Sequence, residues 1–316
     1  MKLSVALCTY NGSKFIEQQI NSILNQTTKV DEIIVCDDKS TDATVSILKE
    51  IQVANPCIVI IENEINLRST KNFEKAIQLC SGDYIFLADQ DDLWNTEKVA
   101  KTLAIFNENL TAEGVFTNAD LIDDNGTKLS NKTIWDSVFF FEKEMQKPID
   151  FVDIIFKNGN IVTGATLCIK KEVKSFIFPF SKDNLHDEWI ASLLAFKNTL
   201  YYSSENLISY RIHDNQQIGM KNLDKMEKIT RKKRVILGLD IPNSFSEYRF
   251  LLKKIFLKKK EIVNFQKYNF DFIDFQKLQS ENNIEWELIS EKTKSAFPIR
   301  YKITSLIDAI LGKRTL

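Results

Sequence analysis

The sequence predicts an α/β protein whose central sheet is mostly parallel and is flanked by helices. Across the first 120 residues, short apolar runs of strand length alternate with amphipathic segments of helical length. Strands that alternate with helices of about 10–15 residues are typical of βαβ units, which build parallel sheets. The chain of 316 residues contains 9 Gly and 5 Pro, so no low-complexity linker interrupts this pattern.

Each predicted element rests on a local pattern. In the first helix, Ile16, Ile20 and Ile23 recur at helical spacing and form one apolar face. In the third, Gly82 follows the helix and favours its termination. The predicted strands are Leu3–Cys8, Asp31–Cys36, Cys57–Glu62, Tyr84–Ala88 and Gly114–Ala119. The predicted helices are Ser13–Gln26, a segment around Val45–Ile51, Asn72–Cys80 and Asn95–Asn109.

After residue 120 the alternation becomes weaker. Helices are predicted over Asp150–Lys157 and His186–Phe196, strands over Ile161–Ile169 and Leu207–Ile212, and a helical segment rich in Phe from residue 221 onward. Residues 1–220 carry 21 basic and 31 acidic side chains, whereas residues 221–316 carry 21 and 12. The change in pattern and charge predicts one domain over residues 1–220 and a basic helical extension over residues 221–316.

Composition and motifs argue against several protein classes. No apolar run approaches the roughly 18–20 residues that a bilayer span needs, and the apolar run near the N-terminus is too short for a signal peptide. The five cysteines form no CxxC or CxxH pair, which predicts reduced thiols in a cytosolic protein and no structural zinc. Neither GxGxxG nor GxxxxGK[ST] occurs after the first strand, so a dinucleotide-binding domain and a P-loop NTPase are disfavoured. No nucleic-acid partner is expected.

The most specific local feature is an acidic cluster directly after the strand Tyr84–Ala88. Asp89, Asp91 and Asp92 fall within four residues. Carboxylates this close repel each other, and a hard divalent cation bound through oxygen would offset that repulsion. The alternative is a solvated acidic turn that caps the following helix.

Polar residues also follow the first two strands. Because ligands bind at the carboxyl ends of strands in such sheets, Asp38 is a candidate acceptor for a nucleotide base or sugar. Thr9, Tyr10 and Asn11 could flank the same base. The alternative for Asp38 is an ordinary helix-capping acid.

Two further residues could carry chemistry. His213 ends a predicted strand and could complete a metal site with a carboxylate. Asp187 lies in the first turn of a predicted helix, where a carboxylate could remove a proton from a bound hydroxyl. The alternatives are a structural histidine and an ordinary helix-start acid.

Six separated stretches together resemble glycosyltransferase family 2, the large inverting family with the GT-A (Rossmann-like) fold. They match in order and spacing over about residues 1–220, and the combination of ADQDDLW with HDEW most resembles the bacterial branch often labelled rhamnosyltransferase. The matching stretches are Val5–Gly12 (VALCTYNG), Asp31–Thr44 (DEIIVCDDKSTDAT), Asn66–Phe73 (NLRSTKNF), Gly82–Trp94 (GDYIFLADQDDLW), His186–Trp189 (HDEW) and Tyr210–Gly219 (YRIHDNQQIG).

The resemblance implies a role for each matching residue. Asp89 and Asp91 match the two acids of the DXD motif, of which Asp91 would hold Mn²⁺ or Mg²⁺ together with His213. Asp187 matches the catalytic base. The nucleotide-sugar side matches Thr9, Tyr10, Asn11, Asp38, Lys71 and Asp89, and the acceptor side matches Thr163, Gly164 and Glu188.

Two positions depart from the family pattern. Arg68 stands where glycine is common, which predicts a reshaped loop. Glu188 stands where an aromatic residue is common, which argues against stacking of the acceptor there.

The implied function is metal-dependent transfer of a sugar, with L-rhamnose one candidate, from a dTDP- or UDP-sugar to a saccharide or lipid-linked acceptor. The alternatives are a sugar-nucleotide nucleotidyltransferase and a non-catalytic, Mg²⁺-binding, receiver-like switch domain. The protein is expected to be cytoplasmic. The basic residues and apolar stripe within residues 231–263 predict peripheral contact with the inner face of the cell membrane, and packing of that stripe on the protein is the alternative.

Overall fold

The computed structural model describes residues 1–213 and 226–310. In this part of the chain, nine strands form one sheet in the order β3-β2-β1-β4-β8-β6-β9-β5, and β7 pairs with β6. The strands are β1 (Leu3–Thr9), β2 (Glu32–Asp37), β3 (Ile58–Glu62), β4 (Tyr84–Ala88), β5 (Leu93–Trp94), β6 (Gly114–Ile122), β7 (Lys128–Thr133), β8 (Leu167–Lys170) and β9 (Leu200–Arg211).

The described helices follow the predicted ones closely in the first 110 residues. They are α1 (Ile16–Leu24), α2 (Thr44–Ala54), α3 (Arg68–Leu79), α4 (Lys98–Glu108), α5 (Ile134–Ser137), α6 (Phe151–Asn158), α7 (Lys174–Ile177), α8 (His186–Phe196), α9 (Met226–Ile236), α10 (Phe245–Gln266), α11 (Phe275–Ala296) and α12 (Pro298–Ile310).

The section of the sheet that contains β1 to β4 is parallel. β1 pairs in parallel with β2 and β4, and β2 pairs in parallel with β3. Every residue of β1 is buried, as expected for a parallel strand with helices on both faces of its sheet. The other section is mixed, because β8 runs antiparallel to β4 and β6 while β6 and β9 are parallel. The predicted α/β class is confirmed.

Two predicted strands differ most from those in the structure. The strand predicted over Ile161–Ile169 begins only at Leu167, because Gly164–Thr166 forms a 3₁₀ turn in which Thr166 N–H donates to the Thr163 carbonyl at 2.9 Å. The strand predicted over Leu207–Ile212 begins earlier, at Leu200, since β9 pairs with β6 from Leu200 to Arg211, with register shifts in between.

The described residues form two compact units. The first comprises residues 1–140 and 162–213, and the second comprises residues 141–161 and 226–310. The sequence-based division at residue 220 placed residues 141–161 with the first domain. They group instead with the C-terminal helices, because Phe156 of α6 packs edge-on against Phe265 of α10 and Lys258 Nζ donates to Asp153 Oδ1 at 2.7 Å. Residues 221–225 and 311–316 of the predicted extension lie outside the described residues.

The apolar stripe that predicted membrane contact through residues 231–263 is buried within the second unit. Leu251, Leu252 and Ile255 of α10 are each at most 6% exposed. Leu251 and Ile255 pack with Val235 of α9, and Trp286 and Ile289 of α11 lie against this cluster. This packing favours the alternative, in which the stripe packs on the protein, and peripheral membrane contact stays a prediction. No helix in the described ranges is both long and apolar enough to cross a membrane.

Candidate active site

The sheet brings the polar residues that follow three strands to one edge. Thr9 at the end of β1 pairs with Asp37 of β2, and Leu7 pairs with Ala88, the last residue of β4. Because these strands are parallel, the loops that follow them meet beyond their carboxyl ends. The acidic cluster and the Thr9–Asn11 segment therefore lie beside each other, as the sequence predicts.

Asp91 and His213 are in direct contact. His213 Nε2 lies 2.9 Å from Asp91 Oδ2, and both side chains are largely buried. The contact forms because β5, just after the acidic cluster, pairs with β9, whose end leads to His213. The two residues predicted to share a metal are thus brought together, 122 positions apart in sequence. Residues 214–219 of the same motif lie outside the described residues.

The other acids of the cluster are held in an unfavourable electrostatic environment. Burial, reinforced by the charges of Asp91 and Asp187, raises the pKa of Asp89 to about 7. Burial, with the charges of Asp91 and Asp89, raises the pKa of Asp92 well above its usual range. Asp92 Oδ2 has no hydrogen-bond partner among the described residues. Such a site favours an added positive charge.

A divalent cation fits this donor set. No group of three or more His, Cys, Asp or Glu side chains in the described residues is arranged to hold a metal ion by itself. Mg²⁺, however, is commonly held by one or two carboxylates while substrate phosphates complete its ligands. Asp91 and His213, beside an orphaned carboxylate oxygen of Asp92, match that kind of incomplete protein site.

Arg211 is a buried site residue that sequence reasoning missed. Its guanidinium donates to the carbonyls of Asp91, Asp123 and Asp124 at 2.7–2.9 Å, and it lies over the ring of Phe15. Its backbone N–H donates to Asp92 Oδ1 at 3.0 Å. Arg211 thereby ties the acidic loop to the turn after β6. The available signal was a lone arginine two residues before His213, at the end of an apolar strand.

Gln90 is a second residue that the sequence did not single out. Its Oε1 accepts from the Thr9 hydroxyl at 2.7 Å and from the Tyr10 backbone N–H at 2.8 Å, and its Nε2 donates to the Tyr10 carbonyl. A Cβ at Gly12 would collide with this amide. Gln90 therefore fastens the end of β1 to the acidic loop, and the Thr9 hydroxyl is engaged in that contact.

Asn11 and Asp38 organise neighbouring loops. Asn11 Oδ1 accepts from the Thr41 N–H at 2.8 Å, which joins the loops after β1 and β2. The buried carboxylate of Asp38 accepts from the backbone N–H groups of Leu67 at 2.6 Å and Arg68 at 2.8 Å. It also accepts from the side-chain amide of Asn63 at 3.0 Å. Asp38 thus fixes the start of α3, whatever further contact it makes with a ligand.

The departure at Arg68 has a backbone explanation. Arg68 has φ 62°, in the left-handed region that favours glycine. Its N–H bond to Asp38 holds that conformation, so the loop keeps a glycine-like backbone although it carries an arginine. On the same helix, Lys71 forms an ion pair with Glu74 one turn later.

Asp187 stands in the first turn of α8, next to the 3₁₀ turn. Its Oδ2 accepts from the Gly164 N–H at 3.0 Å and its Oδ1 accepts from the Glu188 N–H at 2.7 Å. Burial raises the pKa of Asp187 to about 6, and these N–H bonds limit the rise. A carboxyl group with this pKa is ionised at pH 7 and remains a competent proton acceptor. Of the other predicted acceptor-side residues, Thr163 begins the turn and Glu188 follows Asp187 in α8.

His186 is structural in this arrangement. Its ring stacks on Phe73 with centroids 3.9 Å apart, and burial lowers its pKa to about 3. Neither ring nitrogen has a hydrogen-bond partner among the described residues. A Cβ on Gly164 would lie 2.5 Å from His186 Nε2, so this neutral ring requires glycine at the turn that holds Asp187.

Solved structures share this fold. Residues 1–349 of TarS from S. aureus, in complex with UDP-GlcNAc, match with a TM-score of 0.52 at 18% identity, over 95% of this chain and 83% of that chain. The mannosyltransferase PcManGT from Pyrobaculum calidifontis, in complex with GDP-Man and Mn²⁺, matches with a TM-score of 0.51 at 13% identity, over 98% of this chain and 80% of the other. At these identities the likeness establishes the GT-A fold.

Sequence comparison identifies the family. The model of glycosyl transferase family 2 matches residues 4–161. The dTDP-rhamnosyl transferase RfbG of Shigella flexneri is 30% identical over 235 residues, 67% of this chain and 73% of RfbG. An uncharacterized glycosyltransferase of Haemophilus influenzae is 27% identical over 237 residues, 73% of this chain and 72% of that protein. The chain therefore belongs to glycosyltransferase family 2 and is a glycosyltransferase with the GT-A fold.

Proposed function

We propose that this enzyme moves a sugar from a nucleoside-diphosphate sugar to a hydroxyl of a growing cell-surface polysaccharide or lipid-linked oligosaccharide, with inversion at the anomeric carbon. One observation carries the proposal: the Gly164 and Glu188 N–H groups hold the carboxylate of Asp187 in a fixed orientation, and its charge adds to burial and to Asp91 in raising the pKa of Asp89. A proton acceptor and an acidic cluster suited to a metal diphosphate thus share one site. Single-displacement glycosyl transfer needs this pair of functions.

The diphosphate end of the donor would lie at the acidic cluster. Asp91 and His213 would hold Mn²⁺ or Mg²⁺, with Asp89 facing the sugar nucleotide. When bound, the cation would supply positive charge to the departing diphosphate. Arg211 keeps the loop of Asp91 in place through its bond to the Asp91 carbonyl, so the ligand pair is preorganised.

The acceptor hydroxyl would lie at Asp187. Its Oδ2 is oriented by Gly164 and its Oδ1 by the N–H of Glu188, so the carboxylate has a fixed direction. It takes the proton of the acceptor hydroxyl while that oxygen bonds to the anomeric carbon and the diphosphate leaves from the opposite face. Thr163, Gly164 and Glu188 would line the acceptor side.

The nucleotide would lie over the loops after β1 and β2. Tyr10 and Asn11 would meet the base from the first loop. The bonds of the Thr9 hydroxyl to Gln90 and of Asn11 Oδ1 to the Thr41 N–H hold this loop in place. Asp38 would add an acceptor for the base or ribose, and Lys71 would lie near the nucleotide.

The donor nucleotide is proposed from two kinds of relative. The dTDP-rhamnosyl transferase RfbG supports dTDP-rhamnose. The UDP-Glc:alpha-D-GlcNAc-diphosphoundecaprenol beta-1,3-glucosyltransferase WfaP of Escherichia coli, 25% identical over 241 residues, supports a UDP-hexose and a lipid-linked acceptor. We place the reaction in the cytoplasm, which the five free cysteines favour.

A panel experiment tests the proposal. The purified protein is incubated with Mn²⁺, single nucleotide sugars and a lipid extract that contains polysaccharide precursors, and products are found by mass spectrometry. Transfer of one sugar with release of its nucleoside diphosphate is expected. Pyrophosphate release from a nucleoside triphosphate and a sugar phosphate would indicate the nucleotidyltransferase alternative, and metal binding without turnover of any donor would favour the switch-domain alternative.

A further inference from the structure

Lys98, the first residue of α4, is completely buried. Its ammonium group lies 3.9 Å from the ring centroid of Trp94 and donates a hydrogen bond to the carbonyl oxygen of Ala165 at 2.7 Å. A buried lysine is costly unless its charge is balanced. No substrate group can reach this side chain from solvent, so a contact role with substrate does not explain it.

One side of Lys98 faces the acidic cluster. Burial lowers the pKa of Lys98 to about 7, and the charges of Asp92 and Asp89 oppose that fall. In return, the charge of Lys98 opposes part of the rise that burial causes in the pKa of both acids. The ammonium group therefore partly offsets the negative charge of Asp89 and Asp92.

The other side of Lys98 holds the 3₁₀ turn that carries Ala165. Gly164, the residue before Ala165, donates its N–H to Asp187 Oδ2. The bond from Lys98 is made to the carbonyl of Ala165, so it fixes the turn two peptide groups after the one that orients Asp187. Lys98 and Asp187 are linked through two residues of backbone, although they are 89 positions apart in sequence.

We propose that Lys98 is a positioning residue for the proposed general base. It anchors the Gly164–Thr166 turn to the start of α4, which follows the acidic cluster in the chain, so that the diphosphate side and the acceptor side of the site keep a fixed separation. The inference rests on the proposed role of Asp187. It assigns a role in the same reaction to Lys98, which contacts neither the sugar donor nor the acceptor.

The chemistry of the side chain explains why lysine suits this position. A methionine would fill nearly the same volume, but it cannot donate to the Ala165 carbonyl and carries no charge to offset Asp92. A donor that is buried and charged gives a stronger bond than a neutral one. Loss of that bond would let the turn move and weaken the Gly164 N–H contact with Asp187.

The test uses Lys98→Met and reads the turn without relying on turnover. The chain has 9 glycines, so ¹⁵N-glycine labelling gives a short amide spectrum in which Gly164 is assigned by its absence in Gly164→Ala. In the wild type, the Gly164 amide should titrate with Asp187, near pH 6. In Lys98→Met, the amide should shift and its titration midpoint should rise by roughly half a pH unit or more, because a weaker N–H bond stabilises the carboxylate less. Asp89 and Tyr210 also interact with Asp187, so the Gly164 amide is chosen because it bonds to Asp187 directly.

Turnover supplies the second reading. With the donor found in the panel, Lys98→Met should lose kcat by about tenfold or more, the ratio that matches one lost charge-assisted hydrogen bond, with donor binding retained. Lys101→Met is the matched control, because Lys101 lies on the same helix and its surface ion pair with Glu205 is far more exposed. An inactive wild type with a shifted Gly164 amide in Lys98→Met would count against the proposed function and leave the anchor supported.

A double variant covers the case in which Lys98→Met fails to fold. Lys98→Met with Asp92→Asn removes the cation and its opposing acid together, which restores charge balance but not the bond to Ala165. The proposal expects this variant to fold and still to show the shifted Gly164 amide. A Gly164 amide that titrates as in the wild type, in either variant, would overturn it, as would an equal shift in Lys101→Met.

Discussion

The backbone N–H of Gly164 donates a hydrogen bond to Oδ2 of Asp187 over 3.0 Å. The same glycine abuts the neutral ring of His186, which stacks on Phe73. The orientation of the proposed base thus depends on a position where a side chain cannot be accommodated.

Gly164→Ala should therefore destabilise the protein and slow transfer. The new methyl group would lie 2.5 Å from His186 Nε2, and the ring is buried, so overpacking should cost about 1–3 kcal/mol in the free energy of unfolding. Urea denaturation and kcat measure the two effects. The double variant Gly164→Ala/His186→Ala relieves the collision and should recover part of the kcat loss; no recovery would place the cause elsewhere.

Removal of the proposed metal ligands should abolish the effect of Mn²⁺ on the affinity for the nucleoside diphosphate. Asp91→Asn takes away an anionic ligand and His213→Ala takes away its partner, so Mn²⁺ should no longer tighten binding of the nucleoside diphosphate. Calorimetry with and without Mn²⁺ measures this difference. Asp183→Asn, at an exposed acid of the same unit, is the control. Metal-dependent binding that persists in Asp91→Asn would remove Asp91 from the site.

Gln90→Ala should weaken nucleotide binding as well as lower stability. The amide joins Thr9 and Tyr10 to the acidic loop, so its loss frees the segment proposed to meet the base. A typical net loss of about 0.5–1.5 kcal/mol per hydrogen bond is expected in the free energy of unfolding. The dissociation constant of the nucleoside diphosphate should rise as well. Unchanged nucleotide affinity would mean that Gln90 has only a structural role.

Much of the fold follows from local patterns in the sequence. In the first 110 residues the apolar runs give the strands and the period of Ile16, Ile20 and Ile23 gives α1, because one face of each element is buried. The predicted strand Ile161–Ile169 starts too early. Ile161 and Val162 are apolar and suggest a strand, but Gly164–Thr166 forms a 3₁₀ turn that is hydrogen-bonded to Thr163. Local hydrophobicity does not reveal such a turn.

Site residues that belong to sequence motifs could be predicted from the sequence. Site residues that act through contacts with distant parts of the chain could not. Asp91 and His213 were paired correctly in space, although their roles remain proposals. Arg211, Gln90 and Lys98 were missed, because each bonds to backbone or amide groups far away in sequence. Likewise, an apolar stripe such as Leu251 and Ile255 does not reveal in the sequence whether protein or lipid covers it. The structure shows that α11 packs against these two residues.

The central claim is that Asp187 is the general base of metal-dependent sugar transfer. The most direct test measures kcat from pH 5 to 8 at saturating donor, in the wild type and in Asp187→Asn. With a pKa of about 6, the wild-type carboxyl group is protonated as the pH falls through 6, so kcat should fall below that pH. Asp187→Asn should bind donor normally, lose roughly 10²–10⁴-fold in kcat and lose this acid limb. Near-normal turnover in Asp187→Asn, with the acid limb intact, would contradict the account.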